Sequence, residues 1–195
     1  MKKLLLVVFL LLPIFAIAQD EERFPWILTI FGGGATFCTE DGCFGPSGYA
    51  VGASFGRGMS DRWSFELEGT YAYSTETGPA RVDLATGIIF SPELERTRIY
   101  GGGHFLGKLM NFGASSDFFI SIGAVGGYEQ VAENVPEGFF PLPVEHIGIV
   151  GGVAGGAGLN LWFGDNWGVR PEVRYYLMAS DLSGVRYTAG ILHKF

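Results

Sequence analysis

Two cysteines are all that the chain of 195 residues contains, and both fall in the short segment CTEDGC, at Cys38 and Cys43. No histidine stands near them, and Glu40 and Asp41 alone make a poor ligand set, so neither a metal centre nor any other cofactor is expected. Cations are also scarce. Thirteen Lys and Arg face 20 Asp and Glu, a formal net charge of −7, which removes the electrostatic case for binding nucleic acid. After the N-terminal run no stretch approaches the roughly 18 consecutive apolar residues that a spanning helix needs. Long runs of good helix formers are few, and no glycine-rich stretch has the strand, G-x-G-x-x-G and helix order of a phosphate loop.

What is present begins with MKKLLLVVFLLLPIFAIAQ: two lysines, an apolar run from Leu4 to Ile17, and a small-x-small ending at Ala16-Ile17-Ala18. This reads as a secretory signal peptide over residues 1–18, with the mature domain at 19–195. Its removal discards Lys2 and Lys3, taking the formal charge from −7 to −9. After export to an oxidising compartment, Cys38 and Cys43 are expected to form a local disulfide pinning one loop.

Thirty-one glycines and 17 phenylalanines favour strands and turns. Alternation with a period of two predicts eight strands, at Trp26 to Phe37, Gly48 to Gly58, Trp63 to Tyr73, Arg96 to Gly107, Phe118 to Glu129, His146 to Trp162, Trp167 to Leu177 and Val185 to Phe195. Most approach the 9 to 11 or so residues of a tilted membrane strand. The connections alternate between long pieces such as CTEDGCFGPS and QVAENVPEGFFPLPVE and terse turns such as MSDR and FGDN, with KLMNFGASS as an exception. Residues 81–90 compete for strand status, but a ninth strand would send the C-terminus to the wrong side, so they are expected to be a loop or a hairpin extension.

Each strand has one apolar and one polar face. Phe65, Leu67, Tyr71 and Tyr73 oppose Ser64, Glu66, Glu68 and Thr70; Val169, Val173, Tyr175 and Leu177 oppose Arg170, Glu172 and Arg174. In a soluble sheet the apolar face would be inside. The export signal and the aromatic residues near strand ends (Tyr73, Phe118, Tyr128, Phe163, Trp167, Tyr175) instead predict an apolar face turned to lipid between aromatic girdles, with Trp63 counted on the charged parity. The charges then fill a narrow lumen. Because the strands of Glu66 and Arg170 lie across an eight-stranded barrel, Glu66 and Glu68 are expected to face Arg170 and Arg174, with Glu172, Arg98 and Arg186 nearby. Pro171 lacks a ladder donor, so a bulge or an unpaired carbonyl is expected beside it.

Together the signal peptide, MSDRWSFELEGTYAYS, RPEVRYYL and the closing VRYTAGILHKF resemble the small outer-membrane β-barrel proteins of the OmpA/OmpX type, over essentially all of 19–195. The resemblance implies an all-β, eight-stranded antiparallel up-and-down transmembrane barrel, monomeric, in the outer membrane of a Gram-negative-type bacterium. It also implies that Phe195 serves as the C-terminal signal read by the barrel assembly machinery.

The leading functional reading is a non-enzymatic barrel whose external loops contact lipopolysaccharide, host or environment; loops that merely cap the barrel are the bland counterpart. A lipid-modifying enzyme on the same scaffold would use His146 with Ser74 or Ser180 at the rim, although no nucleophile and base spacing is legible. A small pore or a soluble lipid-binding barrel are further alternatives.

Overall fold

In this computed structural model, residues 24–37, 47–83, 87–113, 116–135, 145–178 and 183–195 are described. They form ten strands: β1 (Trp26–Phe37), β2 (Ser47–Gly58), β3 (Trp63–Thr77), β4 (Arg81–Val82), β5 (Ile89–Phe90), β6 (Glu93–Asn111), β7 (Ser116–Asn134), β8 (Glu145–Phe163), β9 (Trp167–Met178) and β10 (Gly184–Lys194). Eight of them close into an antiparallel barrel in the order β1-β10-β9-β8-β7-β6-β3-β2. Among the described residues β4 and β5 pair only with each other, so they form a small two-stranded sheet outside the barrel wall.

The alternation in the sequence is the alternation of inside and outside. Along β3, Glu66, Glu68, Thr70, Ala72 and Ser74 are buried, while Leu67 and Tyr71 between them are exposed. Outward Ile99, Ile122, Val153, Val173 and Ile191 are all exposed, and the buried positions hold mostly charged and polar groups, with alanines, two tyrosines and a few larger apolar side chains such as Phe31, Leu106, Phe119 and Leu192. The molecule is inverted relative to a water-soluble sheet. Trp63 belongs with Phe65 and Leu67 rather than with the charges: it is 51% exposed, and its ring lies where a Cβ on Gly107 would stand. The expectation that it shares the charged parity is therefore corrected.

The chain termini mark one end of the barrel, where Phe195 N–H donates to the Trp26 carbonyl at 3.0 Å. Three short connections between barrel strands are at this end, over 59–62, 112–115 and 164–166. KLMNFGASS is no exception, because β6 runs on to Asn111 and β7 starts at Ser116, leaving a four-residue turn closed by Phe112 N–H to the Ser116 carbonyl at 2.8 Å. Gly113 and Gly164 take φ of 75° and 73° in two of these turns, a conformation that a side chain resists.

At the opposite end the wall is uneven. β6, β7 and β8 have 19 residues each and β3 has 15, whereas β1, β2 and β9 have 12 and β10 has 11. Among the described residues the extra lengths project as a sheet: Thr75 to Thr77 pair with β6, and the Glu145 to Gly151 segment pairs with β7. Register shifts occur between Lys108 and Met110 and between Gly127 and Glu129. No bulge forms at Pro171. The β8 to β9 ladder lapses between the pairs Gly158 with Glu172 and Leu161 with Val169 and resumes in the same register, so the missing amide N–H is absorbed by a local gap in the ladder.

Candidate functional site

The distinctive chemistry is inside the barrel. β3 and β9 stand diametrically opposite in the strand order, so their inward side chains meet across the lumen. Arg170 Nη1 donates to both oxygens of Glu66, at 2.7 and 2.8 Å, and Ser54 Oγ donates to the same carboxylate at 3.2 Å. One layer up, Glu68 accepts from Arg174 Nη1 at 2.6 Å, from Arg186 Nη1 and Nη2 at 2.7 and 2.9 Å, and from the hydroxyls of Thr70 and Tyr176, both at 2.9 Å. Glu172 accepts from Arg174 Nε at 2.7 Å. Three carboxylates thus meet three guanidiniums, and all six side chains are buried. Burying one such charge alone would be prohibitive; the matched set, hydrogen-bonded except at Arg186 Nε, is what makes it tolerable.

Aromatic rings lie against the guanidinium faces. Phe31 is 4.2 Å from Arg186 and Phe119 is 5.0 Å from Arg170, measured to ring centroids, a contact the planar guanidinium favours. Above the ion pairs, Tyr100 and Tyr176 stack at 4.9 Å inside a ring formed by Ala35, Ala50, Ala72, Val125 and Ala154, with Met178. The void beside them is about 10 Å³, room for about one water. Beyond the tyrosines a second ion cluster begins: Arg98 Nε donates to Glu129 at 2.7 Å, Arg96 Nη1 donates to Glu129 at 2.8 Å, and Arg96 also contacts Glu76.

Of the lumen residues named from the sequence, Glu66, Glu68, Arg170, Glu172, Arg174 and Arg186 come together, while Arg98 stands apart in the Glu129 cluster. Sequence reasoning missed Arg96, Asp117, Asn160 and His104. Parity places all four on the inward face. His104 is fully buried on β6, on the same parity as Arg98, with no partner within hydrogen-bond reach of either ring nitrogen. Ser74 does not sit at the rim as a nucleophile would: it is 1% exposed on the inward face of β3. The His146 side chain, Ser180 and the cysteine pair Cys38 and Cys43 lie outside the described residues.

The lumen opens toward the chain termini. There two adjoining cavities of about 270 and 390 Å³ share Asp61, Lys108, Asp117, Trp162 and Lys194 in their lining. The floor of the first is the Arg170 layer, linked to the mouth by Arg170 Nε to Asn160 Oδ1 and Asn160 Nδ2 to Asp117 Oδ1, each 2.7 Å. Phe195, at the same end, is 68% exposed and packs edge-on to His193, which in turn lies against Trp167.

No protein-family model matches the chain. A search of curated protein sequences likewise finds no match. Solved structures do match. Neisserial surface protein A superposes with a TM-score of 0.57 at 13% identity, covering 88% of this chain and 97% of that one. The chain has the fold of the small outer-membrane barrels. A major outer-membrane protein of Thermus thermophilus gives 0.55 at 11% identity, covering 87% and 99%. Ail, the attachment invasion locus protein of Yersinia pestis, solved in complex with the heparin analogue sucrose octasulfate, gives 0.50 at 14% identity, covering 88% and 98%. At such identities the likeness is one of eight-stranded architecture.

Proposed function

We propose that the chain is a non-enzymatic, monomeric outer-membrane barrel that acts through its outer end, after export by its signal peptide and insertion through the barrel assembly machinery. The observation that carries this reading is the inversion of the barrel. Charges occupy the interior, and an apolar wall lies outside between Trp63, Phe163, Trp167 and Phe195 at one end and Tyr49, Tyr71, Tyr175 and Tyr187 at the other. Such a wall is matched to lipid and not to water. With the Trp26 and Phe195 end facing the periplasm, the projecting sheet faces outward. Ile149, 86% exposed on the part of β8 that runs past Gly152, supports a surface-contact role, because a large apolar side chain held open to solvent favours contact with another surface. A filled lumen supports a sealed barrel over a pore.

Charge narrows the partner. On the outward side the described strand ends and connections carry Asp83, Glu93 and Glu95, while Arg81, Arg96 and Arg98 are each engaged by carboxylates. A neutral or cationic surface suits this end, and direct contact with lipopolysaccharide phosphates would need bridging divalent cations.

Membrane fractionation with heated and unheated gels tests the reading. The protein should partition with the outer membrane and change mobility on boiling. Recovery in the soluble periplasmic fraction would refute it.

A further inference from the structure

After residue 3 the sequence contains only two lysines, Lys108 and Lys194. They sit on β6 and β10, which face each other across the barrel, yet both line the cavity of about 390 Å³ at the terminal mouth. Among the described residues, every other cation that points into the lumen is an arginine held by carboxylates within hydrogen-bond distance. The lysines differ. Lys108 Nζ stands 3.7 Å from Asp117, whose Oδ1 already accepts from Asn160, and Lys194 Nζ lies 3.6 Å from the centre of the Trp162 ring. Two ammonium groups therefore converge on one water-accessible space of ligand size, over an indole and a polar floor.

We propose that this mouth binds an oxyanion, carboxylate or phosphate, of a small solute, bridged between Lys108 and Lys194. Asn160 and Arg170 stand deeper as the polar floor, and Asp117 and Asp61 restrict the site to ligands whose remaining groups are neutral or cationic. Lysine suits such a mouth, because a compact, hydrated ammonium with three rotatable donors follows a mobile ligand, whereas a guanidinium locked in a fork does not. That the solute is periplasmic rests on the membrane reading above; binding itself does not.

The test uses the full mature chain refolded in a maltoside detergent, which brings neither phosphate nor carboxylate. The indole N–H resonances of all four tryptophans are followed by NMR at constant ionic strength set with chloride. One arm titrates inorganic phosphate and the other succinate. Saturation of the Trp162 signal, with Trp26, Trp63 and Trp167 unmoved, is the expected result, and the arm that saturates identifies the chemistry. Lys194→Gln and Lys108→Gln should each weaken binding roughly tenfold, as loss of one charge-assisted contact would, and either variant alone suffices if the other fails to fold. A shift that is equal in all four indoles, that never saturates in either arm, or that survives both substitutions would overturn the site. Soluble recovery of the protein in cell fractionation would remove the membrane reading and leave the binding result standing.

Discussion

The two ends of the lumen solve the same problem differently. From Arg170 toward the outer rim, every inward cation among the described residues is an arginine clasped by glutamate, and the space between is closed by rings and alanines. Below Arg170 the cations are lysines, the partners are distant or aromatic, and the space is open. The difference follows water. Where water is excluded, a planar donor that meets two acceptors at once recovers more of the lost hydration than a point charge does, so arginine is the residue that can be buried. Where water enters, that advantage fades and the flexible ammonium is tolerated.

The largest effect expected from breaking this contrast comes at Glu68. Glu68→Leu leaves Arg186 and one arm of Arg174 without their carboxylate in the dry region and should cost about 3 to 5 kcal/mol in urea unfolding from lipid vesicles. Adding Arg174→Leu should restore part of that loss, and the double-mutant cycle measures the coupling. A change below about 1 kcal/mol would mean that water reaches this layer after all.

Next, Val173→Arg places a cation on the outer side of the same strand. It should cost about 2 to 4 kcal/mol in the same assay if Val173 lies near the bilayer midplane. A neutral outcome would put the apolar wall in water.

Arg174→Lys keeps the charge and loses the fork that spans Glu68 and Glu172. A penalty of about 1.5 to 3 kcal/mol is expected, the worth of a hydrogen bond to a charged group. The mirror change at the mouth, Lys194→Arg, should shift stability by less than about 0.5 kcal/mol, as an exposed substitution does. Similar penalties at the two sites would erase the distinction between sealed and open ends.

Much of this architecture is legible in the sequence because a barrel wall has strict parity. WGVRPEVRYYL assigns each of its side chains to one face without any knowledge of its neighbours, and Glu66 and Arg170 are placed across from each other by counting strands. Register is not legible. Whether Arg98 joins Glu68 or Glu129 depends on how far β6 slides along β7, which the pairing of Arg98 with Glu129 fixes. Strand ends are equally hidden: VAEN and ELE read as polar loop, yet they continue β7 and β6 as the projecting sheet, where both faces meet water and no apolar alternation is needed. The terminal mouth is invisible in the sequence for a third reason, since a cavity is a property of what the inward side chains fail to fill.

The seam has a kinetic meaning. β1 and β10 pair from Ile27 with Lys194 to Phe37 with Gly184, so the closing contact joins the two most distant barrel strands of the chain. Until it forms, the growing sheet has two raw edges and a set of inward charges without their partners, and that contact carries the highest loop-closure entropy of any in the molecule. Folding should therefore be late-committing: the rate of barrel formation depends on when the last eleven-residue strand finds the first, whereas substitutions within the sealed lumen, where contacts form only after closure, should act mainly on how fast the finished barrel opens.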